Sequence, residues 1–148
     1  MVSCAPSFAA KWLAPKLGEF HRTHDGIEAW ISADMGLTAF TMAAADFAIR
    51  YGRGVYEGLK SEKLLDETVL PVCSPALLEG PDAIMKPEDL RHHTLLHDES
   101  GEHDPSCPDW ASWLRARGVE GVDGNRGPRF NQAILVIESA AAGRGVAL

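Results

Sequence analysis

The chain lacks the sequence features of an exported or membrane-bound protein. No run of apolar residues among its 148 positions is long enough to cross a bilayer. Its first residues, MVSCAP, contain no basic stretch followed by an apolar core, so they do not form a signal peptide. Cys4, Cys73 and Cys107 are an odd number without CxxC spacing, which favours reduced thiols over a disulfide framework. These absences predict a cytoplasmic protein without membrane contact.

Positive charge is also scarce. The chain carries 14 Lys and Arg side chains against 21 Asp and Glu side chains, which gives a net charge of -7. Proteins that bind duplex DNA normally present a basic face to the phosphates, so we do not expect this chain to bind DNA by itself. Its apolar content of 45% suffices for one core, or for two small lobes that share a hinge.

Catalytic and metal-binding motifs are absent or incomplete. No G-x-S-x-G elbow occurs, and the GRG at residues 52–54 lacks the rest of a dinucleotide fingerprint. Five side chains could be interpreted as metal ligands: His92, His93, His97, His103 and Cys107. The spacing from His97 to His103 falls just outside the usual zinc pattern, and no defined second half accompanies it. We therefore expect no enzyme activity, no metal site and no cofactor.

The chain does contain alternating strand and helix patterns. The first half predicts a strand, a helix, a strand, a helix and a strand, in that order: residues 2–5, 7–20, 27–31, 34–41 and 45–49. Ser7 and the group at residues 32–34 stand where helix N-caps belong. Parallel strands require crossover connections, so this order predicts a doubly wound α/β sheet.

The second half continues the pattern with shorter elements. A strand is expected at residues 68–73, where Pro71 favours an edge position, and another at residues 94–97. A polar loop at residues 98–109 precedes a helix that ends at Gly118. Asn131 caps a further helix, which Gly143 ends, and a last strand begins near residue 145.

Six segments of the chain, in this order and spacing, resemble the effector-binding domain of LysR-type transcriptional regulators: residues 7–17, 46–54, 63–75, 94–98, 110–118 and 140–148. The branch that they resemble is the one typified by the glycine-cleavage activator. The resemblance covers essentially the whole chain and implies a ligand sensor rather than an enzyme.

The resemblance implies a type 2 periplasmic-binding-protein-like fold. In that fold, two doubly wound α/β lobes are joined by a hinge of two crossover strands, and a small effector binds in the cleft. Lobe I would span residues 1–67, and lobe II would span residues 68–148 with the first crossover at residues 68–72. The return crossover and the end of lobe I would be missing, as would the helix-turn-helix. We therefore expect a C-terminally truncated fragment of a longer regulator.

The resemblance also implies a set of effector contacts. These are Ser7, Phe8, Ser32, Ala33, Asp34, Tyr51, Arg53, His97, Asp98, Asn131 and Gln132. A hydroxyl at a helix start and a nearby cation would suit an anionic effector such as a carboxylate. Purely structural roles remain as alternatives. Ser7 and Asp34 could be helix caps and nothing more, and Arg53 could be a solvated turn residue. Ala39 and Ala133 replace polar residues of many relatives, so the effector could differ or bind weakly.

The same resemblance implies how the full protein would work. Lobe closure on a small-molecule effector would change the geometry of a homodimer or tetramer, and DNA would be contacted only by a helix-turn-helix outside this chain. The first helix, with Trp12 and Phe20, would contribute to the subunit interface. Two alternatives remain at this point: a solute-binding protein of a transporter, and a truncated fragment without function.

Overall fold

Three short strands near the start of the chain pair into a parallel sheet. They are β1 (Val2–Cys4), β2 (Ile31–Ala33) and β3 (Phe47–Ile49), in the order β2-β1-β3. The first strand in sequence is therefore the central strand, which requires a crossover before β2. The predicted strands at residues 2–5 and 45–49 are confirmed, and the second strand lies later than residues 27–31.

The computed structural model describes residues 1–36, 45–52, 54–101 and 107–148. These residues form two units, Met1–Leu64 and Leu65–Leu148. The predicted helix at residues 34–41 falls mostly outside the described residues. Ser32 and Ala33 lie in β2, so they do not cap a helix. Within the described ranges, no helix is long and apolar enough to cross a membrane.

A helical stretch with a widened middle connects β1 to β2. It consists of α1 (Pro6–Phe8), a π-helical segment (Ala9–Leu13) and α2 (Ala14–Thr23). Pro15 has no N–H, and its ring would clash with a carbonyl one α-turn earlier, so the hydrogen-bond ladder widens before it. In this segment the N–H of Ala14 donates to the carbonyl oxygen of Ala9.

The predicted N-cap role of Ser7 is wrong. Ala5 is the N-cap of α1 with an extended backbone, Pro6 is the first helical residue, and no side chain caps the helix start. Proline suits that first position because its fixed φ is already helical and its missing N–H needs no partner there. Ser7 is therefore a half-buried residue of the first turn.

A second parallel sheet forms in the unit Leu65–Leu148. Its strands are β4 (Leu95–Asp98), β5 (Arg129–Phe130) and β6 (Val146–Ala147), in the order β5-β4-β6. The helices are α3 (Trp110–Ala116) and α4 (Ala133–Ala141), with 3₁₀ turns at Pro75–Leu78 and Pro87–His92. The predicted helix after residue 110 and the end of α4 near Gly143, whose φ is 72°, are confirmed.

Two other expectations for this unit need correction. The strand predicted at residues 68–73 is reduced to one antiparallel bridge, in which Val72 and Ala147 exchange hydrogen bonds of 2.8 and 2.9 Å. Pro71 cannot donate to a neighbouring strand, so the ladder does not extend beyond Val72 in that direction. The N-cap of α4 is Gln132 rather than Asn131, and it makes no side-chain capping bond.

The core of this second unit has two layers, one on each face of the sheet. Leu95 packs with Trp110 and Leu114 of α3, whereas its neighbour Leu96 packs with Val136 and Ala140 of α4. Successive side chains of a strand point to opposite faces, so both faces of β4 are covered by a helix. The indole Nε1–H of Trp110 donates to the carbonyl oxygen of Leu96 at 3.0 Å, which satisfies its polar atom inside the core.

Candidate functional site

The predicted effector contacts that the structure describes lie at the carboxyl ends of parallel strands in their own units. In the first unit they lie at the ends of β1, β2 and β3 or directly after them. In the second unit they stand at the ends of β4 and β5. Open parallel α/β sheets bind ligands at this edge, because loops and helix starts leave free polar groups there. Within each unit, the structure therefore brings the predicted residues to one edge of one sheet.

Asp34 and the two residues before it occupy the end of β2. Ser32 is half-buried, and Ala33 and Asp34 are exposed. The N–H of Asp34 donates to the carbonyl oxygen of Cys4 at 2.9 Å, and its Oδ1 accepts the N–H of Gly36 at 2.6 Å. The carboxylate thus closes a tight turn at the edge of the sheet while its remaining surface faces solvent.

Ser7 and Phe8 follow β1 in the first helical turn. Both are half-buried. The ring of Phe8 stacks on the ring of Trp12, with 4.9 Å between the centroids. The structure therefore gives Phe8 a packing partner along the helix. The Ser7 hydroxyl makes no capping bond, so a ligand would not have to displace it from a helix terminus.

Tyr51 follows β3 and is 52% exposed. Arg53, the cation that the resemblance offered for an acidic effector, lies outside the described residues. Ala39, one of the two departures from the relatives, also lies outside them. Ala133, the other departure, is the first residue of α4 and is half-buried.

The two predicted residues of β4 have different surroundings. His97 is buried with 7% exposure, and one ring nitrogen lies 3.2 Å from the carbonyl oxygen of Arg126. Gly127 lets that backbone approach, because a Cβ there would lie 1.9 Å from the carbonyl oxygen of Leu95. Asp98 is exposed, and its Oδ1 accepts the N–H of Ser100 at 2.8 Å. A ligand would reach the Asp98 carboxylate more easily than the His97 ring.

Asn131 and Gln132 follow β5 and are both exposed. A cavity of about 300 Å³ lies in the same unit at the carboxyl end of β4, and its described lining does not include Asn131 or Gln132. Polar side chains at its wall include Asp98, Glu99, Asp109 and Arg129. The Arg129 guanidinium pairs with the Glu99 carboxylate across the two strands. This charged lining would accept a small polar molecule better than an apolar one.

A larger hollow of about 460 Å³ lies elsewhere in the same unit. It is lined by one side of α3, including Ala111 and Arg115, and by residues 118–120 and 122–125. It contains none of the predicted contacts. We give the cavity at the end of β4 more weight, because its position at the carboxyl edge of a parallel sheet has a physical reason.

Arg50 is a candidate site residue that the sequence reading missed. It follows β3 directly, is half-buried, and donates from Nη2 to the Ser3 hydroxyl at 2.7 Å. Burial raises the pKa of the neighbouring Cys4 thiol, and the positive charge of Arg50 opposes that rise. One feature of the sequence marks Arg50 as a candidate, because it is the first polar residue after an apolar strand.

Metal-binding groups are not gathered at these edges. Among residues 1–36, 45–52, 54–101 and 107–148, no three His, Cys, Asp or Glu side chains are grouped closely enough to hold a metal ion. His103, part of the metal interpretation, lies outside these ranges. Cys4, Cys73 and Cys107 form no disulfide with one another.

Each unit is an α/β structure built on a parallel sheet with polar side chains at its carboxyl edge. The chain belongs to the family described as the LysR substrate binding domain, which matches residues 1–148. The glycine cleavage system transcriptional activator of Escherichia coli (strain K12) is 42% identical over 147 residues, covering 99% of this chain and 46% of that protein. The HTH-type transcriptional activator AmpR of Rhodobacter capsulatus is 31% identical over 142 residues, covering 96% of this chain and 46% of that protein.

Solved structures agree with this assignment. The AmpR effector binding domain from Citrobacter freundii matches with a TM-score of 0.77 and 26% identity, covering 99% of this chain and 69% of that one. CrgA, a LysR-type transcriptional regulator from Neisseria meningitidis, has a TM-score of 0.73 at 22% identity, covering 99% of this chain and 48% of that one, and supports the fold alone. The chain spans about half the length of the curated relatives it matches. The named relatives are transcriptional regulators, which disfavours the transporter alternative.

Proposed function

We propose that this chain is the effector-sensing part of a LysR-type transcriptional regulator, and that it is not an enzyme. The observation that carries the proposal is the family match over residues 1–148, together with 42% identity to a transcriptional activator. The exposed polar groups at the carboxyl edges of both sheets support a small-molecule effector as the ligand. The proposed contacts are those predicted from the resemblance.

The proposed mechanism needs only differential affinity. An effector that binds one arrangement of the regulator more tightly shifts the population toward it, and the change is transmitted to the oligomer that sits on DNA. The net charge of -7 supports DNA contact by another part of the polypeptide rather than by these residues. We propose a homodimer or tetramer acting in the cytoplasm, where bacterial DNA lies.

The test uses the complete natural polypeptide that contains residues 1–148. Its melting temperature is measured against a library of small metabolites, and its affinity for DNA upstream of its own reading frame is measured with each compound that binds. At least one compound should raise the melting temperature and change the DNA affinity or the length of DNA protected. Failure to bind that DNA with or without any compound would overturn the regulator assignment.

A substitution then tests the site. Ser7→Ala should weaken the response to the identified effector about 10- to 100-fold, because one hydrogen bond to a charged group contributes roughly 1.5–3 kcal/mol. Ser61→Ala is the matched control, since Ser61 is exposed and lies in an irregular segment. An unchanged response in Ser7→Ala would remove Ser7 from the site and leave the regulator assignment intact.

A further inference from the structure

The turn that follows β2 is held through three of its backbone groups. The N–H of Asp34 donates to the carbonyl oxygen of Cys4 at 2.9 Å, and the N–H of Gly36 donates to Oδ1 of Asp34 at 2.6 Å. The carbonyl oxygen of Gly36 accepts a hydrogen bond from Nη2 of Arg50 at 2.9 Å. Because Oδ1 of Asp34 bonds to Gly36, Oδ2 is the oxygen of this exposed carboxylate that an effector would reach.

The Arg50 guanidinium joins that turn to the other two strands of the sheet. The same Nη2 donates to the Ser3 hydroxyl of β1 at 2.7 Å, and Nη1 donates to the carbonyl oxygen of Ile49 in β3 at 3.1 Å. Ser3 is fully buried, so this anchor lies in the interior of the first unit. Hydrogen bonds to three segments therefore fix one arginine side chain and, through it, the carbonyl group of Gly36.

The register of the sheet explains how the side chain of residue 50 reaches Ser3. Ser3 lies beside Ala48 in the parallel pairing of β1 with β3. Laterally aligned side chains share a face of the sheet, and Arg50 comes two residues after Ala48, so its side chain leaves the backbone on that face. The small side chain of Ala48 leaves room for the arginine to fold back over β1.

This placement leaves one donor of Arg50 unused. Its Nε atom is buried and has no hydrogen-bond partner among the described residues. An unpaired buried donor lowers the stability of the fold, so stability alone does not account for an arginine in this arrangement. The contact with the turn at residues 34–36 gives it another role.

We propose that Arg50 is a positioning residue of the effector site, which holds the turn at residues 34–36 and thereby fixes the direction of the Asp34 carboxylate. This inference rests on the proposed function and deepens it, because it assigns a residue that shapes the site without contacting the effector. A binding group is effective when the hydrogen bonds of its neighbours hold it in one orientation.

Hydrogen exchange on the complete natural polypeptide, in D₂O without effector or DNA, tests the hold on the turn. Arg50→Met removes the donors of the guanidinium, including the unpaired Nε, and keeps an unbranched side chain. The amides of Asp34 and Gly36 should then exchange at least about tenfold faster, whereas those of β1 should change less than about twofold. Equal acceleration in β1 and the turn, or no acceleration in the turn, would overturn the proposal.

Ala48→Gly is the matched control for a general loss of stability. Ala48 lies in β3, and glycine weakens a strand without removing a hydrogen bond from the turn. This variant should accelerate exchange in β1 and in the turn together. The contrast with Arg50→Met therefore separates the positioning role from a purely structural one.

Arg50→Lys provides a conservative replacement, and it keeps the test decisive if Arg50→Met does not fold. Lysine retains the positive charge, but its single nitrogen replaces two that divide their bonds among Ser3, Gly36 and Ile49. Exchange in the turn should therefore lie between that of the wild type and that of Arg50→Met. Wild-type exchange in Arg50→Lys would contradict a hold that needs the guanidinium.

The effect on binding is measured with the compound from the metabolite library that raises the wild-type melting temperature most. Its half-saturating concentration should rise at least about tenfold in Arg50→Met and stay within about twofold in Ala48→Gly. Unchanged half-saturation in Arg50→Met would remove Arg50 from the site. The exchange experiment needs neither effector nor DNA, so failure of this proposal is distinguishable from failure of the regulator assignment.

Discussion

Asp109 stabilises the start of α3 through reciprocal hydrogen bonds. Its Oδ1 accepts the N–H of Ser112 at 2.7 Å, and the Ser112 hydroxyl lies 3.0 Å from the N–H of Asp109 and accepts from it. Hydrogen bonds from the Ser112 side chain and backbone hold the pKa of the Asp109 carboxyl below its usual value. The carboxylate is therefore more favourable in the folded protein than in the unfolded chain.

This cap predicts a pH-dependent stability. Asp109→Ala should lower the free energy of unfolding at pH 7 by about 1 kcal/mol. Because the folded-state pKa of Asp109 is depressed, its charged form contributes stability above the unfolded pKa of about 3.9, and that part is lost as the pH falls through the folded pKa. The difference between wild type and Asp109→Asn should therefore shrink below about pH 4.

Urea unfolding at a series of pH values, followed by tryptophan fluorescence, measures both effects. Asp82→Asn is the control, since Asp82 is an exposed carboxylate in the same unit. It should leave the stability and its pH dependence unchanged. A constant difference between wild type and Asp109→Asn from pH 7 to pH 3 would contradict the role of the charge.

The existence of most elements could be predicted from the sequence, whereas the ends of most strands could not. The apolar runs identified β1, β3 and β4, because a buried strand needs apolar side chains wherever its partners lie. The strand predicted at residues 68–73 has the same composition, yet only Val72 finds a neighbour. Strand formation depends on a pairing edge supplied by distant residues, and composition does not report that edge.

The candidate site could likewise be predicted from the sequence only in part. The contacts implied by the resemblance stay a prediction, and those that the structure describes lie at one edge of the sheet of their unit, since parallel strands end together. The burial of His97 depends on the backbone of Arg126 and Gly127, and the position of the Arg50 guanidinium depends on its hydrogen bonds to Ser3, Gly36 and Ile49. Neither could be read from a local pattern, because both arise from contacts between segments far apart in the chain.

The helical stretch after β1 presents aromatic surface to solvent. Trp12 is 37% exposed, its ring stacks on Phe8, and the ammonium of Lys16 lies 5.0 Å from its centroid. In the complete natural polypeptide, we expect Trp12→Glu to raise the dissociation constant of the oligomer at least about tenfold, because a charge would be buried in an apolar contact.

Sedimentation velocity at micromolar concentrations measures this change in self-association. Trp30→Glu is the matched control, since Trp30 is 73% exposed in the same unit but lies outside the helix. It should leave the oligomer intact. Unchanged sedimentation of Trp12→Glu would show that this helical stretch is not part of the interface.

The two units differ in how much apolar surface their described residues bury. The second unit contains two buried clusters around β4, whereas the buried apolar residues described in the first unit are Cys4 and Ala9. Local opening costs less where fewer apolar contacts break. We expect amide hydrogens of Leu95–Asp98 to exchange at least about tenfold more slowly than those of Val2–Cys4.

Hydrogen exchange followed by mass spectrometry on the complete polypeptide tests this expectation. Residues 60–71 form no helix or strand and should exchange fastest, which provides an internal reference. Equal protection of β1 and β4 would contradict the difference in local stability.

The pairing of Val72 with Ala147 has a consequence for biosynthesis. The ribosome releases the polypeptide from its N-terminus, so Val72 is outside long before β6 has been made. Until Val146 and Ala147 emerge, β4 keeps one unpaired edge, and the apolar faces of α3 and α4 have an incomplete sheet to cover. Contacts between the two ends of a unit form late and slow its folding. We therefore expect this unit to complete its sheet only after Val146 and Ala147 have been made.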